Sequence, residues 1–396
     1  MNETLTIAVV GSGPSGCYIS QFLLKKFPHS EVVIFDRLEH PYGLVRYGVA
    51  PDHAGTKAVA KQFDRLFESG GVRFVGQTEI GRDITMHALR AAFDIVVLAT
   101  GLSADRPLGI SGSDLSGVFG SGRITRFING HPEENTSGLL FGSHLTIVGH
   151  GNVALDITRI LLTHPEDLRG HGVGENVLAA FGASPVQHID IVGRSAPGLA
   201  KFDTAMVREL SKITNVRFIA HDLPTEFQAT EGADDAKHEA IVALAAGSPK
   251  EATRTVHFYF GYAPESVNGV NKVESITFRA TKAPSATPGN EKTLELATNA
   301  VFTAIGFAEA EGAAVKRDDH TSIHTNLETG LLDDGVYCVG WLRRGPKGTI
   351  PANRADAKMV AGTIAAAIEV GSIVAHKPGF SALEFSICSQ QLEEPS

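Results

Sequence analysis

The chain has 396 residues, 43% of them hydrophobic, which predicts about two or three domains with sizeable cores. Its formal net charge of −9 disfavours nucleic acid as the main partner. The apolar runs are only as long as strands, so no membrane span is expected. The cysteines form no CxxC pair, which predicts no thiol redox pair, no metal site and a reducing, cytoplasmic compartment; they are Cys17, Cys338 and Cys388.

The first predicted element is a buried strand over residues 5–10, followed by a glycine-rich turn and a helix over 17–25. In such a turn one glycine permits a tight bend, the next lets the backbone approach a pyrophosphate, and the third lets the helix pack closely. The helix N-terminus favours anions because its N–H groups are free and its dipole is positive there. The residues predicted to hold a dinucleotide are Gly11, Gly13, Pro14, Ser15 and Gly16.

A second strand is predicted over residues 31–35, and Asp36 stands at its end. A carboxylate about 20 residues after the glycine turn accepts hydrogen bonds from a ribose hydroxyl. The turn and Asp36 together therefore predict a dinucleotide site rather than a tight turn without a ligand. This pattern does not separate FAD from NAD.

The next run, HPYGLVRYGVAPDH at residues 40–53, is more specific. It resembles the signature of the adrenodoxin reductase family, which includes bacterial ferredoxin–NADP reductases of the same architecture. The resemblance implies that the first turn binds FAD, that Gly43 and Leu44 lie along the flavin, and that His53 lies near its ring. Without the resemblance, His53 would be interpreted as a surface or core histidine.

A buried strand over residues 94–101 ends in Thr100 and Gly101. In two-dinucleotide flavoproteins this ending contacts the flavin nucleotide and leads to the other domain. The composition changes at residues 101–122, which we interpret as the domain crossover. Residues 162–185 and 280–292 are interpreted as loops or insertions.

A second glycine turn follows the apolar run 145–148 and opens a helix-like stretch over residues 155–162. Gly149, Gly151 and Ala154 repeat the three small-residue roles, since alanine is tolerated at the third position. Two such turns, each between a strand and a helix, predict two dinucleotides and electron transfer between them.

Residues 151–161 are similar to the family's NADP-domain helix, with His150 where the family has Gln. The resemblance implies backbone contacts from Asn152 and Val153 to the second pyrophosphate. It also directs Asp156 toward the nicotinamide, and the alternative for Asp156 is an ordinary carboxylate on the helix surface.

The strand predicted over residues 188–193 ends at Arg194 and Ser195, with no acid beside Arg194. An NAD site needs a carboxylate here, whereas an NADP site needs cations or hydroxyls for the 2′-phosphate. NADP(H) is therefore the predicted second cofactor. The family usually has two arginines at this point, so Ser195 predicts weaker discrimination against NADH. Met206 aligns with a family Glu, and Glu209 lies one turn further on, so no catalytic Glu is assigned.

Another buried strand is predicted over residues 299–307, and residues 335–353 resemble the family's return to the FAD domain. The resemblance places Gly340 and Trp341 at the flavin, although a single tryptophan is also a common core residue. It also implies that the last helix begins with its amino end aimed at the flavin, at Gly348, Thr349 and Ile350.

Five basic residues near this segment are candidates for docking an acidic carrier protein, or else are solvated charges at a helix start: Arg343, Arg344, Lys347, Arg354 and Lys358.

The predicted fold class is therefore α/β, with two doubly wound Rossmann-like domains. Residues 1–103 and 325–396 form a discontinuous FAD domain, and the NADP(H) domain, residues 104–324, is inserted into it. The resemblance implies a ferredoxin–NADP reductase-type flavoenzyme. NADPH would pass a hydride to flavin N5, and the flavin would release single electrons to a ferredoxin or flavodoxin. His53 and Asp156 are the residues assigned to catalysis, in positioning or proton exchange.

Two alternatives stay open at this point. One is an NADPH dehydrogenase for a small quinone-like acceptor, or a reductase module of a larger complex. The other is a non-enzymatic, redox-sensing protein that binds dinucleotides. The oligomeric state, the carrier and the direction of electron flow are not predicted.

Overall fold

The computed structural model describes residues 4–68, 71–134, 139, 141–183, 185–221, 223, 231–281 and 292–384. The predicted break at 280–292 therefore lies largely outside the described residues, and Cys388 lies wholly outside them. The chain divides into two compact units. The first comprises Met1–Val49, Ala54–Ala104 and Phe307–Ser396, and the second comprises Ala50–His53 and Asp105–Gly306.

The strands of the described residues are short and mostly buried. In chain order they are β1 (Thr6–Val10), β2 (Glu31–Phe35), β3 (Arg73–Val75), β4 (Ile95–Leu98), β5 (Ala104–Asp105), β6 (Val118–Gly120), β7 (His144–Val148), β8 (His188–Gly193), β9 (Val216–His221), β10 (Arg254–Phe260), β11 (Tyr262–Asn268), β12 (Ser275–Ala280), β13 (Thr293–Ala297), β14 (Ala300–Thr303), β15 (Phe307–Ala308), β16 (Leu331–Asp333) and β17 (Val336–Cys338).

The helices alternate with these strands over most of the chain. In order they are α1 (Pro14–Lys26), α2 (Leu44–Tyr47), α3 (Ala54–Lys57), α4 (Val59–Glu68), α5 (Met86–Ala92), α6 (Ser121–Ile128), α7 (Asn152–Leu162), α8 (Pro165–Gly170), α9 (Glu175–Ala183), α10 (Thr204–Leu210), α11 (Asp235–Gly247), α12 (Trp341–Arg344) and α13 (Ile350–Glu369). Among the described residues, no helix is both long and apolar enough to cross a membrane.

The first unit is built on a six-stranded sheet of order β16-β17-β4-β1-β2-β3. Its neighbouring strands are parallel except for the pair β16–β17, which is antiparallel. Alternate residues of β1 and β4 pack on opposite faces, with α1 and α13 against one face and α5 against the other. The central strands are consequently buried on both faces, which explains their continuous apolar sequences.

The second unit contains a parallel sheet of order β6-β14-β7-β8-β10-β9 and a separate antiparallel sheet of order β11-β12-β13. Ile189 and Ile191 of β8 face a core that includes α7 and α10. Val192 points to the opposite face, where it packs with residues of β11 and β12. Ligands of such sheets bind beyond the carboxyl ends of the strands, where the strand order reverses.

Several predicted bounds are wrong, although β2 and β8 match their predicted ranges. Both helices that follow a glycine turn begin three residues before the predicted start, at Pro14 and Asn152, because the turn's second glycine is already the cap. Residues 162–185 contain two helices, α8 and α9, rather than a loop.

The predicted domain bounds also need correction at two places. The chain returns to the first unit at Phe307 rather than at residue 325. The strand predicted over residues 299–307 is shorter, Ala300–Thr303, and ends before that return. Residues 50–53 belong to the second unit although they lie within the predicted FAD domain.

Candidate functional site

The first glycine turn joins β1 to α1 in a conformation that only glycine adopts easily. Gly11 has φ +102°, and a Cβ added there would lie 2.6 Å from the carbonyl oxygen of Ala99. Gly13 caps α1 and faces open space, since an added Cβ would meet nothing within 4 Å. The turn therefore presents the free N–H groups of a 13-residue helix to an accessible space, which suits a pyrophosphate.

Asp36 is fixed against this turn. Its Oδ2 accepts a hydrogen bond from Ser12 N at 2.8 Å, and its Oδ1 accepts one from Leu38 N at 2.9 Å. Each carboxylate oxygen has two lone pairs, so a further acceptor position is available. This is the place that a ribose hydroxyl would take in the predicted site.

The segment with the family signature lies directly on the turn. Tyr42 N donates to Ser12 O at 3.1 Å. A Cβ added to Gly43 would lie 3.1 Å from the Cα of Gly13, and Leu44 begins α2 with 36% of its surface exposed. The structure thus brings Gly43 and Leu44 beside the open end of α1.

The other predicted residues of this site also meet α1 and its turn. Thr100 N would lie 3.1 Å from a Cβ at Gly11, and Gly101 follows it with φ +67°. A Cβ added to Gly340 would lie 2.1 Å from Ser15 Oγ. Gly340 can approach Ser15 so closely only because it has no side chain.

Trp341 begins α12, and its ring stacks on Phe307 with centroids 5.5 Å apart. Its Nε1 is buried, and within the described part of the chain it has no hydrogen-bond partner. A buried N–H without a partner is costly, so a ligand that accepts a hydrogen bond fits this position. Thr349 caps α13, with Gly348 before it and Ile350 as the first helical residue.

The first site as a whole fits a dinucleotide that also carries an aromatic ring. The open end of α1 suits a pyrophosphate, Asp36 suits a ribose, and the indole N–H of Trp341 offers a donor to a ring acceptor. FAD has all three groups, so these residues fit FAD.

The second glycine turn joins β7 to α7 in the second unit. Gly149 has φ +122°, and an added Cβ would lie 2.3 Å from Ala304 O. Gly151 caps α7 and, like Gly13, faces open space. This helix end therefore also suits a pyrophosphate.

His150 lies beneath the second turn and is buried. Its Nε2 lies 3.1 Å from Ile191 O, and its ring packs on Phe260 with centroids 4.3 Å apart. Burial lowers the pKa of His150 to about 4, and the hydrogen bond to Ile191 offsets only part of this shift. The imidazole is therefore neutral near pH 7, and its Nε2–H donates to the carbonyl.

Asn152 and Val153 begin α7. The Asn152 amide donates from Nδ2 to Asp203 Oδ2 at 2.6 Å and accepts from Asp203 N at 2.8 Å. Val153 is partly buried against the core. The Asn152 side chain is thus occupied by Asp203, which leaves the backbone N–H groups of the helix end for a ligand.

Arg194 and Ser195 follow β8 directly, at the carboxyl edge of the second sheet. The Arg194 side chain is exposed and Ser195 is half-buried. The Arg194 carbonyl accepts a hydrogen bond from Thr281 Oγ1 at 3.0 Å, which fixes the backbone at this point. An exposed guanidinium and a hydroxyl without a neighbouring acid fit a 2′-phosphate.

His53 lies in the second unit within a cluster of charged side chains. Its Nε2 lies 3.2 Å from Glu209 Oε2 and 3.6 Å from Asp156 Oδ1. Arg159 donates to both oxygens of Asp52 at 2.7 Å, to Asp156 at 2.8 Å and to Glu209 at 3.0 Å. The two residues assigned to catalysis, His53 and Asp156, are therefore in one network.

Arg159 is nearly buried, with 7% of its side chain exposed. Burial shifts the pKa of Asp52 less than the hydrogen bonds and charge of Arg159 do together, but it shifts the pKa of Asp156 more. Burial raises the pKa of Asp52, but the bidentate hydrogen bond and the charge of Arg159 outweigh this effect and leave it below its usual range. Burial also raises the pKa of Asp156, and the charges of Arg159 and His53 offset only part of that rise. Of the two aspartates in this cluster, Asp156 consequently accepts a proton more readily than Asp52.

Three members of this cluster were assigned no role from the sequence: Asp52, Arg159 and Glu209. Met206, which aligns with the family's glutamate, packs against the hydrophobic core. Glu209, one helical turn further along α10, is the carboxylate that reaches His53. The spacing of three residues between Asp156 and Arg159 on one helix was the available signal, because such residues lie on the same face.

Two of the five docking candidates are used inside the first unit. Arg343 Nε donates to buried Asp356 at 2.8 Å, and Arg344 Nε lies 3.1 Å from the same carboxylate. A buried carboxylate requires such partners, so these two arginines are not free to dock a carrier. Lys347, Arg354 and Lys358 are exposed.

Comparison with known proteins identifies the family. Residues 5–355 match the model of the pyridine nucleotide-disulphide oxidoreductases. The chain is 42% identical over 379 residues to the cindoxin reductase of Citrobacter braakii, covering 96% of this chain and 81% of that protein. The chain belongs to this family. Its predicted α/β fold, its oxidoreductase class and its place in the adrenodoxin reductase-like group are thereby confirmed.

Two further comparisons agree with this membership. The chain is 31% identical to the NADPH-ferredoxin reductase FprA of Mycobacterium tuberculosis, over 90% of this chain and 83% of that protein. The structure of that FprA in complex with NADPH superposes with a TM-score of 0.86 at 29% identity, covering 98% of this chain and 91% of that one. The predicted cofactors, FAD and NADP(H), are those of this family.

Proposed function

We propose that the chain is an FAD-dependent reductase that passes electrons from NADPH to a small one-electron carrier protein of the ferredoxin type. The observation that carries the proposal is the pair of open helix ends at Gly13 and Gly151, one in each unit. Each lies at the carboxyl edge of a parallel sheet, where α/β proteins bind dinucleotides. Two such sites in an oxidoreductase favour transfer between two redox cofactors.

The residues of the first site would bind FAD and orient it. The end of α1 would bind the pyrophosphate, Asp36 the ribose, and Gly43 and Leu44 would lie along the ring. The amino end of α13 at Ile350 would add positive potential, which stabilises negative charge on a reduced ring. When bound, NADPH supplies a hydride, and FAD accepts it and releases electrons singly.

The residues of the second site would bind NADP(H) and exclude NADH only partly. The N–H groups at Asn152 and Val153 would bind the pyrophosphate, and Arg194 and Ser195 the 2′-phosphate. His53 would act as a positioning residue, because Glu209 Oε2 would accept a hydrogen bond from its Nε2–H and so fix the ring. Asp156, whose pKa burial raises, would exchange protons near the nicotinamide.

The carrier is proposed from the relatives. Their names state action on cindoxin, adrenodoxin and ferredoxin. A flavodoxin is a second acceptor that we propose to test beside a ferredoxin, and a cytoplasmic location stays a prediction. The exposed charges of Lys347 and Lys358 would attract an acidic carrier, so its reduction should slow as salt is added.

The test uses the purified full-length chain with its bound flavin. NADPH should bleach the flavin under anaerobic conditions, and the reduced protein should then reduce a [2Fe–2S] ferredoxin, with an NADPH-free sample as control. Reduction of quinones with no transfer to ferredoxin or flavodoxin would replace this proposal with the quinone-reductase alternative. A flavin that NADPH leaves oxidised would contradict both.

A further inference from the structure

The parallel sheet of the second unit has a polar patch on the face opposite α7. Residues Ile189 and Ile191 of β8 point into the helical core, so the alternate residues His188 and Asp190 point to the other face. On the neighbouring strand β10, His257 pairs in register with Asp190. Two histidines and an aspartate from adjacent strands therefore meet on one face of the sheet.

These three side chains are close enough to bind the same ion. His188 Nε2 lies 2.9 Å from Asp190 Oδ1, and His257 Nδ1 lies 3.8 Å from the same oxygen. One possible ligand atom from each residue lies within 4.8 Å of those of the other two. Asp190 has 4% of its side chain exposed, while the two histidines have about a fifth exposed. The carboxylate is therefore at the buried end of the site, and the imidazoles are at the end that solvent reaches.

A neighbouring hydroxyl supports the imidazole of His188. His188 Nδ1 lies 2.7 Å from Thr255 Oγ1, and this contact leaves Nε2 to face Asp190. Metal-binding histidines are held in this way, with one ring nitrogen on the metal and the other in a hydrogen bond. His257 Nδ1, the nitrogen that faces Asp190, also lies 3.2 Å from His221 Nε2 and 3.3 Å from Tyr259 Oη, and these two contacts would yield to a bound ion.

A buried hydroxyl beside the cluster gives a second indication of a ligand. Thr146 of β7 pairs in register with Asp190 and is fully buried. Its Oγ1 has no hydrogen-bond partner among the residues that the structure describes. Residues paired in register share a sheet face, so this hydroxyl can hydrogen-bond to a water or to another ligand of a bound ion.

We propose that His188, Asp190 and His257 bind one divalent transition-metal ion, with Zn²⁺ as the best match. Two imidazole nitrogens and one carboxylate oxygen are ligands that Zn²⁺ prefers, and the usual fourth position would be taken by water. A hard cation such as Mg²⁺ would instead require mostly oxygen ligands. The sequence analysis predicted no metal site because it considered cysteine spacing, whereas this set is assembled by strand pairing.

The proposed ion would link β8 to β10 and stabilise the second unit without taking part in the redox reaction. His188 begins β8, while the predicted NADP-binding residues follow the end of that strand. Six residues of strand span roughly 16 to 20 Å, which is too far for direct contact with a ligand at Arg194. Binding to the folded state alone shifts unfolding to higher temperature.

The test measures zinc in the full-length holoprotein after chelation, reloading with ZnCl₂ and exhaustive buffer exchange. The wild type should retain about one Zn²⁺ per chain, and its thermal unfolding midpoint should rise on reloading. H188Q and H257Q should lose both effects while keeping their flavin and their NADPH-dependent turnover. The matched control is H171Q, at an exposed histidine that follows α8 in the same unit; it should behave as the wild type.

Two results would overturn the proposal. In the first, the wild type retains no more zinc than the H188Q/H257Q double variant, which would mean that the cluster is a metal-free histidine–aspartate pair. In the second, H171Q loses zinc as fully as H257Q, which would indicate unspecific binding to surface histidines. Circular dichroism and flavin content establish that each variant is folded, so that a loss of zinc reports on the site.

Discussion

The two glycine turns share a backbone geometry but are held by different surroundings. Gly11 and Gly149 both have positive φ, and each packs against the carbonyl of a neighbouring segment. The first turn is bonded to the carboxylate of Asp36, whereas the second rests on the neutral ring of His150 and has a cation, Arg194, at the corresponding strand end. The motif therefore determines the bend, and the residues around it determine which nucleotide the bend accepts.

The largest expected effect is loss of a bound cofactor, and a different cofactor should be lost at each turn. Gly11→Ala forces an L-residue into a positive φ, which costs about 1–2 kcal/mol, and places a Cβ 2.6 Å from a backbone oxygen. We expect G11A to lose its flavin on gel filtration. Gly149→Ala has an equivalent clash at 2.3 Å, but this clash lies at the turn proposed to bind NADP(H). G149A should therefore keep its flavin and bind NADPH about 100-fold more weakly.

Flavin absorbance per chain and NADPH titration measure these two losses. The control is G362A, in α13, where an added Cβ meets nothing within 4 Å. Loss of flavin in G149A, or its retention in G11A, would show that the two turns do not serve separate cofactors.

The second prediction uses His150, which distinguishes the second turn from the first. Its pKa is about 4 in the folded chain and 6.5 without burial. As the pH falls below 6.5 the unfolded chain takes up this proton first, so the stability present above that value is lost toward pH 4. The loss is on the order of 3 kcal/mol.

Replacement by the family residue, H150Q, keeps a donor for Ile191 and removes the titration. Urea unfolding at pH 7 and pH 4.5 should show a smaller loss of stability in H150Q than in the wild type. H29Q, at an exposed histidine of the first unit, should match the wild type. Equal losses in H150Q and the wild type would contradict the burial argument.

The third prediction concerns the cluster of the second unit, which has no counterpart at the first turn. H53Q should slow the reduction of flavin by NADPH about 10-fold through loss of positioning. E209Q should slow it by a smaller factor, since an acceptor for His53 stays in place without its charge. Stopped-flow absorbance measures both, with E175Q, in an exposed ion pair with Arg169, as the control.

An effect no larger than that of H53Q is expected at Arg194. R194Q removes one charge-assisted contact to the 2′-phosphate, so kcat/KM for NADPH should fall about 10-fold. The value for NADH should not change, because NADH has no 2′-phosphate. R208Q, at an exposed arginine of α10, is the control. An equal decrease of kcat/KM with both nucleotides would show that Arg194 does not contribute to the preference for NADPH over NADH.

The predictable parts of this molecule were local in sequence. Apolar runs and turn glycines predicted β2 and β8 over their observed ranges. Asp36 was predicted from its spacing, because one helix and one strand of ordinary length separate it from the turn.

The parts that were missed depend on pairs of residues far apart in the chain. Glu209 reaches His53 across 156 residues, and nothing in either local sequence specifies that contact. Asp356 binds Arg343 and Arg344 because it is buried, and burial is not visible in a run of charged letters. The histidines of β8 and β10 likewise meet only through strand pairing.

The assignment of residues 50–53 to the second unit has a consequence for synthesis on the ribosome. Asp52 leaves the ribosome long before Arg159, the residue whose guanidinium it binds through two hydrogen bonds. Since domains fold as they emerge, the amino-terminal part must hold this short piece unpaired until the later segment arrives. A fragment cut at residues 105–306 would lack Asp52 altogether and leave Arg159 short of its bidentate partner. The second unit therefore cannot be completed from one continuous stretch of the chain.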